Sequence, residues 1–250
     1  PDLHLPLAKK ARALGIRTIG WVSPQVWAWR PGRAQTVCRA LDHLLCLFEF
    51  EPPLFSKTDA QWVGHPVIDR CAKRTDVDKD LIGLAPGSRP AEVERNWPKF
   101  IETAAEVRKR KPGTRFRVVS PVDGLDVPLW IERGSTVHDF AEARAVLTKS
   151  GTITLELAVM GVPQVVAHRV HPVTYGFGSH LIRGIRHIAM PNILAGKEVV
   201  PEFIQQLNPV ELANALLSLP DTQTVDLTAL GSPGAIERTA EQVLEWVGAA

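Results

Sequence analysis

The stretch Ala145-Val-Leu-Thr-Lys-Ser-Gly-Thr-Ile-Thr-Leu-Glu-Leu-Ala-Val-Met-Gly-Val-Pro163 decides the fold. Its apolar start, ending at Lys149, predicts a short buried strand. Ser150 and Gly151 then make a tight turn into a helix over 152–160, which Gly161 stops. Pro163 opens the next strand, 164–167. In an open α/β sheet, ligands bind just past the carboxyl ends of the strands, where loops run into helix N-termini. Free backbone N–H groups and the positive end of the helix dipole favour phosphate there. Glu156 stands out among Ile153, Leu155, Leu157, Ala158 and Val159, where an unpartnered carboxylate is costly. Two readings stay open. The vicinal hydroxyls of a ribose would satisfy it, or it is an ordinary first-turn Glu that complements the dipole.

A second strand–turn–helix unit lies upstream. Asp80-Leu-Ile-Gly-Leu-Ala85 reads as a buried strand and runs into Pro86-Gly-Ser-Arg89. The helix expected over 91–109 carries Val93, Trp97, Phe100, Ile101, Ala104 and Val107 at 3.6-residue spacing, with Pro98 marking a kink or a broken first turn. The turns at 86–89 and 149–152 each set a Gly and a hydroxyl (Gly87 with Ser88; Gly151 with Ser150 and Thr152) at a helix start. Both should open on one edge of the sheet, and Arg89 can fork onto a diphosphate. A strand at 116–120, a small helix at 137–143 and a weakly patterned stretch at 122–133 complete the region. Alternating strands and helices argue for a parallel sheet with helices on both faces.

Absent motifs narrow the chemistry. There is no GxGxxG (Gly176-Phe-Gly178 lacks the third glycine) and no GxxxxGK[ST], which counts against dinucleotide dehydrogenases and P-loop enzymes. His168-x-x-His171 has no Cys or acid near by in sequence, so these His are read as phosphate-facing or structural rather than metal-ligating, and no metal is expected.

The remaining chain is a soluble-type sequence, 45% hydrophobic and 22% charged over 250 residues, without an apolar run long enough to span a bilayer. Cys38, Cys46 and Cys71 form no CxxC pair, which fits a reducing cytosol. The net charge of +2 hides an asymmetry. Residues 3–41 hold seven Lys or Arg and no acid; residues 157–197 hold four Lys or Arg, four His and again no acid. Such stretches imply a surface or cleft for anions. A helix is expected over 5–14 with Gly15 as its cap, a strand over 17–22, a helix over 34–40, a strand over 41–48, and a short strand and turn over 62–67. Trp21, Trp27 and Trp29, mixed with Arg30 and Arg33, suggest an amphipathic surface able to meet acyl chains and phosphate together. The polar stretch 69–79 reads as a linker. Further on, a helix is expected over 173–183. Asn208-Pro-Val-Glu211 is a full helix start, and Ser232-Pro233 opens the last helix.

Five motifs in order then carry a resemblance: Ser23-Pro-Gln-Val-Trp-Ala-Trp-Arg30, Val63-Gly-His-Pro66, Ala85-Pro-Gly-Ser-Arg89 with Glu92-Val93, Ser150-Gly-Thr152 with Leu155-Glu156, and Pro191-Asn-Ile-Leu-Ala-Gly196. At this order and spacing the chain resembles the lipid-A-disaccharide synthases. The resemblance implies an α/β GT-B fold, with two Rossmann-like lobes of parallel sheet. Residues 1–69 would be the remnant of an incomplete N-terminal, acceptor-side lobe. Residues 70–205 would form the nucleotide-sugar lobe, and 206–250 helices packing across the two. It also implies metal-free, inverting transfer of 2,3-diacylglucosamine from UDP to the 6-position of 2,3-diacylglucosamine 1-phosphate. Arg89 and the Ser150-Gly151-Thr152 turn, with Gly87 and Ser88, would hold the diphosphate; Glu156 would take the ribose, and Asn192 would sit near the phosphates or the sugar. Arg89 and Asn192 would be the catalytic residues this chain contributes. Trp27, Trp29, Arg30 and Arg33 would face the acceptor or the membrane.

The family's N-terminal lobe begins well upstream, and its general-base Asp lies just before the position of Pro1. The chain is therefore expected to be a fragment, with the activity belonging to the complete enzyme. Peripheral association with the cytoplasmic side of an anionic inner membrane follows from the substrates, and a homodimer is compatible with the resemblance. The rival readings are another UDP-amino-sugar enzyme of this fold, an epimerase or a peptidoglycan glycosyltransferase, and a non-catalytic module that binds anionic lipid. Nucleic acid is not expected as a partner, since the basic stretches match no nucleic-acid motif.

Overall fold

Two parallel sheets organise the chain, and the computed structural model describes residues 3–27, 31–71, 73–74, 76–169 and 187–248 of it. Two units emerge: Pro1–Arg70 with Leu227–Ala250, and Cys71–Asp226.

In the first unit, β1 (Ile19–Trp21), β2 (His43–Cys46) and β3 (Asp59–Trp62) pair in parallel in that order. Helices α1 (His4–Ala13) and α2 (Arg33–Ala40) cover it through Leu5, Val37, Cys38 and Ala40, which meet Leu41, Leu44 and Phe55. Of the short strand and turn expected over 62–67, the strand lies earlier, ending at Trp62, and Gly64 turns the chain at φ +90 into α3 (Val67–Arg70).

The second unit holds a six-stranded sheet: β4 (Asp78–Ala85), β5 (Arg115–Val118), β6 (Ile131–Arg133), β7 (Ala143–Thr148), β8 (Gln164–His168) and β9 (Glu202–Ile204). Every pairing is parallel, and the order is β6-β5-β4-β7-β8-β9. Counted along the chain this is 3-2-1-4-5-6, the doubly wound order, whose direction reverses between the first and fourth strands. Here that switch falls between β4 and β7. From Leu81 in β4 and from Ala145 in β7 to their ends, both strands are buried without alternation, because both faces of the sheet are covered there.

Helix α4 (Pro90–Arg110) lays Val93, Trp97, Phe100, Ala104 and Val107 on the sheet, meeting Ile82, Leu84, Phe116 and Leu147. It runs through Pro98 as one helix. Helix α5 (Ile153–Met160) buries Leu155, Leu157, Ala158, Val159 and Met160 almost all round, which is why it lacks an amphipathic stripe. Helix α6 (Met190–Ala195) is short. Helix α7 (Pro209–Ser218), capped by the Asn208 side chain onto Val210 N–H, adds Leu212, Ala213 and Leu216 to the same core.

The last helix, α8 (Ala235–Val247), belongs to the first unit. The Asp69 carboxylate accepts from Gly234 N–H and Ile236 N–H at its start, and Trp246 stacks on His43 at 4.3 Å near its end. The segment 206–250 read as one group therefore divides after Asp226, because α7 and α8 bury their apolar faces in different cores. Asp69, expected to begin a linker, is a helix cap. The expected helix at 173–183, with His171 and Gly176-Phe-Gly178, lies outside the described residues.

Candidate functional site

The switch point between β4 and β7 brings the two turns together. Ala85 and Thr148 are register partners at the strand ends, and Lys149 N–H donates to Ala85 O at 2.9 Å. Turn 86–89 leads into α4 and turn 149–152 into α5, and no side chain caps either helix. Two dipole ends therefore face the same edge of the sheet.

Charge is concentrated there. The Arg89 guanidinium, its side chain 77% exposed, pairs with Glu92 at 2.8 Å, and Lys149 Nζ pairs with the same Glu92 oxygen at 3.1 Å. Burial works to raise the Glu92 pKa, but the hydrogen bond and charge of Lys149, and then those of Arg89, outweigh it and hold the carboxyl below its ordinary range. His168, at the end of β8, is pushed down to about 4, first by burial and then by Lys149 and Arg95, with Glu92 acting the other way. It is neutral at physiological pH, and its Nδ1 is buried without a partner. Asn96, 1% exposed on α4, donates to Pro86 O at 3.0 Å and accepts from Arg169 N–H at 3.1 Å, tying the first turn to the end of β8. The Ser120 hydroxyl donates to Gly87 O at 3.2 Å.

The residues expected to hold a diphosphate do converge, with different tasks. Gly87 sits at φ +137, a conformation natural only to glycine, and a Cβ on it would meet Glu92 Cβ at 3.0 Å. Ser88 follows it in the same turn. The Ser150 hydroxyl donates to Ile188 O at 2.6 Å, so its proton is committed to the segment before α6. Thr152 is exposed at the N-cap of α5, and Gly151 has open space where a Cβ would be. Glu156 is half-buried in the first turn of α5.

Asn192 is placed differently from the other expected site residues. It is fully buried; its amide donates to Val200 O and its oxygen accepts from Val199 and Val200 N–H, all within 2.8 Å. That side chain holds the loop after α6, and at 0% exposure it presents no surface to a sugar or phosphate. Glu202 does similar work: it accepts from Ile188 and Ala189 N–H, with His187 3.5 Å away. Sequence reasoning missed Glu92, Lys149, Arg95 and Asn96 as a cluster. The one signal was Glu92, an acid three residues after Arg89 in a helix's first turn.

At the carboxyl edge of the first unit's sheet, Trp27 is half-buried. Its ring lies edge-on to Phe48 and Phe50 at 6.3 and 5.4 Å, and its indole N–H donates to Glu51 at 3.1 Å. Glu51, 1% exposed, also accepts from Leu47 and Phe48 N–H. Trp27 is thus packed in part against its own lobe, its remaining surface open. Trp29 and Arg30 lie outside the described residues. Arg33 opens α2, half-buried. Burial raises the neighbouring Cys46 thiol to about 12 and lowers His65 to about 4. Val22, just past β1, is held at φ +70, a strained position for a β-branched residue. Of the seven basic residues in 3–41, Arg12 is taken by Asp42 at 2.9 Å: an acid just outside the stretch closes on it in space.

Among the described residues no three His, Cys, Asp or Glu gather as a metal site, and no helix is long and apolar enough to cross a membrane.

Comparison with known proteins bears on this geometry. The family model for lipid-A-disaccharide synthetase matches residues 1–225. A lipid-A-disaccharide synthase of Geobacter sulfurreducens is 35% identical, the match covering 99% of this chain and 73% of that protein. The Anaeromyxobacter dehalogenans synthase is 34% identical over 98% of this chain and 73% of its own length. Among solved structures, the Methanocaldococcus jannaschii UDP-GlcNAc 2-epimerase in complex with UDP-GlcNAc and UDP aligns with a TM-score of 0.61 at 14% identity, covering 98% of this chain and 74% of that one. The spinosyn forosaminyltransferase SpnP aligns at 0.52 and 12% identity, over 95% and 72%. These likenesses show the GT-B fold.

Proposed function

The chain belongs to the lipid-A-disaccharide synthase family, and on that premise we propose that its second unit, Cys71–Asp226, holds the UDP of the sugar donor at the β4–β7 switch point. The protein is a glycosyltransferase. It transfers 2,3-diacylglucosamine from UDP onto 2,3-diacylglucosamine 1-phosphate, giving the β-1,6-linked lipid A disaccharide and UDP.

One observation carries the site: two uncapped helix N-termini and the cations Arg89 and Lys149 meet where the strand order reverses. As the glycosidic C–O bond breaks, negative charge grows on the diphosphate. Groups fixed beforehand at that position stabilise it without reorganising. Arg89 offers a planar fork and Lys149 a point charge. The turn at Ser150, Gly151 and Thr152 supplies backbone N–H groups, and Glu156, one turn into α5, takes the ribose hydroxyls. In this reading these groups do the work a metal would otherwise do, and no metal is proposed. The general base is not assigned to any described residue.

Affinity for UDP, measured by calorimetry on the protein and on Arg89→Ala, tests the assignment. Loss of a charge-assisted contact of about 1.5–3 kcal/mol should weaken UDP roughly ten- to a hundredfold. Unchanged affinity removes Arg89 from the site.

Peripheral attachment to an anionic membrane at the cytoplasmic face belongs to the same proposal, and its support lies on α1 rather than at Trp27. Leu3, Leu7 and Leu14 are 62–79% exposed, with Ile16 and Trp21 also out and Lys9 and Lys10 beside them. Apolar side chains flanked by Lys suit a headgroup boundary. Sedimentation with anionic vesicles that is lost in high salt supports it; indifference to vesicle charge rejects it.

A further inference from the structure

We propose that the Glu92 carboxylate is a built-in stand-in for the diphosphate: it gathers Arg89 and Lys149 between turnovers and is displaced from them when nucleotide binds. This rests on the nucleotide site proposed above and adds a positioning residue that acts through its two cations.

The geometry is that of an anion held between two turns. One oxygen of Glu92 takes both cations, Arg89 at 2.8 Å from the first turn and Lys149 at 3.1 Å from the second. Its other oxygen, Oε2, is buried with no partner and lies 3.2 Å from where a Cβ on Gly87 would be. The Arg89 pair uses one oxygen and is not the two-pronged fork that Arg–carboxylate pairs frequently form. Glu92 also stands at the third position of α4, where a Glu commonly folds back to cap its own helix; here α4 is left uncapped and the carboxylate reaches across to Lys149. The helix N-terminus stays open and the cations stay aimed.

The exposed Arg89 side chain can leave Glu92 for a phosphate with little rearrangement. Binding then exchanges one anion for another, which lowers affinity for UDP. That is useful for a product that must depart after each transfer, because interactions made equally with ground and transition states add nothing to turnover. A purely structural brace predicts the reverse, since losing it would loosen both turns and weaken UDP.

Glu92→Gln keeps the shape and removes the charge. By calorimetry with UDP, the variant should bind about five- to tenfold more tightly than wild type, as expected for one nearby charge in a partly exposed site. Glu92→Asp, which keeps the charge but draws it back from Lys149, should fall between the two and serves if Glu92→Gln does not fold. Equal or weaker UDP binding by the variants, with wild type binding normally, overturns the stand-in role and leaves the nucleotide site intact. Absence of UDP binding by wild type takes down the nucleotide site, and this inference with it.

Discussion

The turns at 86–89 and 149–152 look alike in sequence, each a buried strand followed by a glycine, a hydroxyl and a helix, yet they are built on different principles. The first is locked by a strained glycine and by two side chains that hold its carbonyls. Gly87 lies at φ +137 over Glu92, Asn96 holds Pro86 O, and Ser120 holds Gly87 O. The second is held by its neighbours: Lys149 by Ala85 O and Glu92, Ser150 by Ile188 O, with empty space above Gly151. A strained turn thus presents the exposed cation, Arg89, while the open turn leaves room beside the more buried one, Lys149. Division of labour between strain and space is what a diphosphate site needs, because one side must position charge and the other must admit the ligand.

Acid should destabilise the end of β8 beside these turns, and this is the largest effect expected. His168 is neutral with a pKa of about 4, against roughly 6.5 when unfolded. Between those values the unfolded chain binds more protons, so stability falls as pH drops from 6.5 to about 4 and levels off below. The limit is about 3 kcal/mol, less whatever solvent screening removes. Glu92 stays charged through most of that window, because Lys149 and Arg89 hold its pKa down. Thermal melting of wild type and His168→Gln across pH 4–7 checks this. The variant should lose less stability on acidification; parallel curves would show that His168 is not the group responsible. His65 in the first unit titrates in the same window, and its contribution cancels in the comparison.

How far these differences could be read from sequence depends on the distance between partners. β4, β7, β8, α4 and α5 lie within about two residues of where apolar runs and turn residues put them, because their burial is written into contiguous sequence. The edge strands β6 and β9 are three residues each and only partly buried, so no alternation marks them. The candidate site was legible as two turns and an arginine. Its wiring was not: Glu92 meets Lys149 57 positions away, Asn96 meets Arg169 73 away, and Asp69 caps a helix 165 away. Asn192 and Trp27 show contacts that the motifs did not announce. Each sits in a motif that marks the family, and each makes packing contacts within its own unit: Asn192 pins a loop, and Trp27 donates to Glu51.

The same substitution at the two glycines should give opposite signs. At Gly87, alanine must adopt a conformation costing about 1–3 kcal/mol and press its methyl on Glu92, so Gly87→Ala should destabilise the second unit by roughly that amount. At Gly151 the φ angle is one that any residue adopts, and nothing lies within 4 Å of an added Cβ. There alanine reduces the freedom of the unfolded chain, and Gly151→Ala should stabilise by about 0.4–1 kcal/mol. The gain in melting temperature would be small, about 2–4 °C per kcal/mol for a unit of this size. If that open space is where the diphosphate lies against the N-terminus of α5, the more stable variant should bind UDP more weakly, since the methyl keeps phosphate from the backbone N–H groups. Melting and UDP calorimetry on the two variants separate the cases. Destabilisation by both would erase the distinction between a strained turn and an open one. A stabilised Gly151→Ala with undiminished UDP affinity would keep the distinction but move the ligand off the second turn, leaving Arg89 and the first turn to hold it.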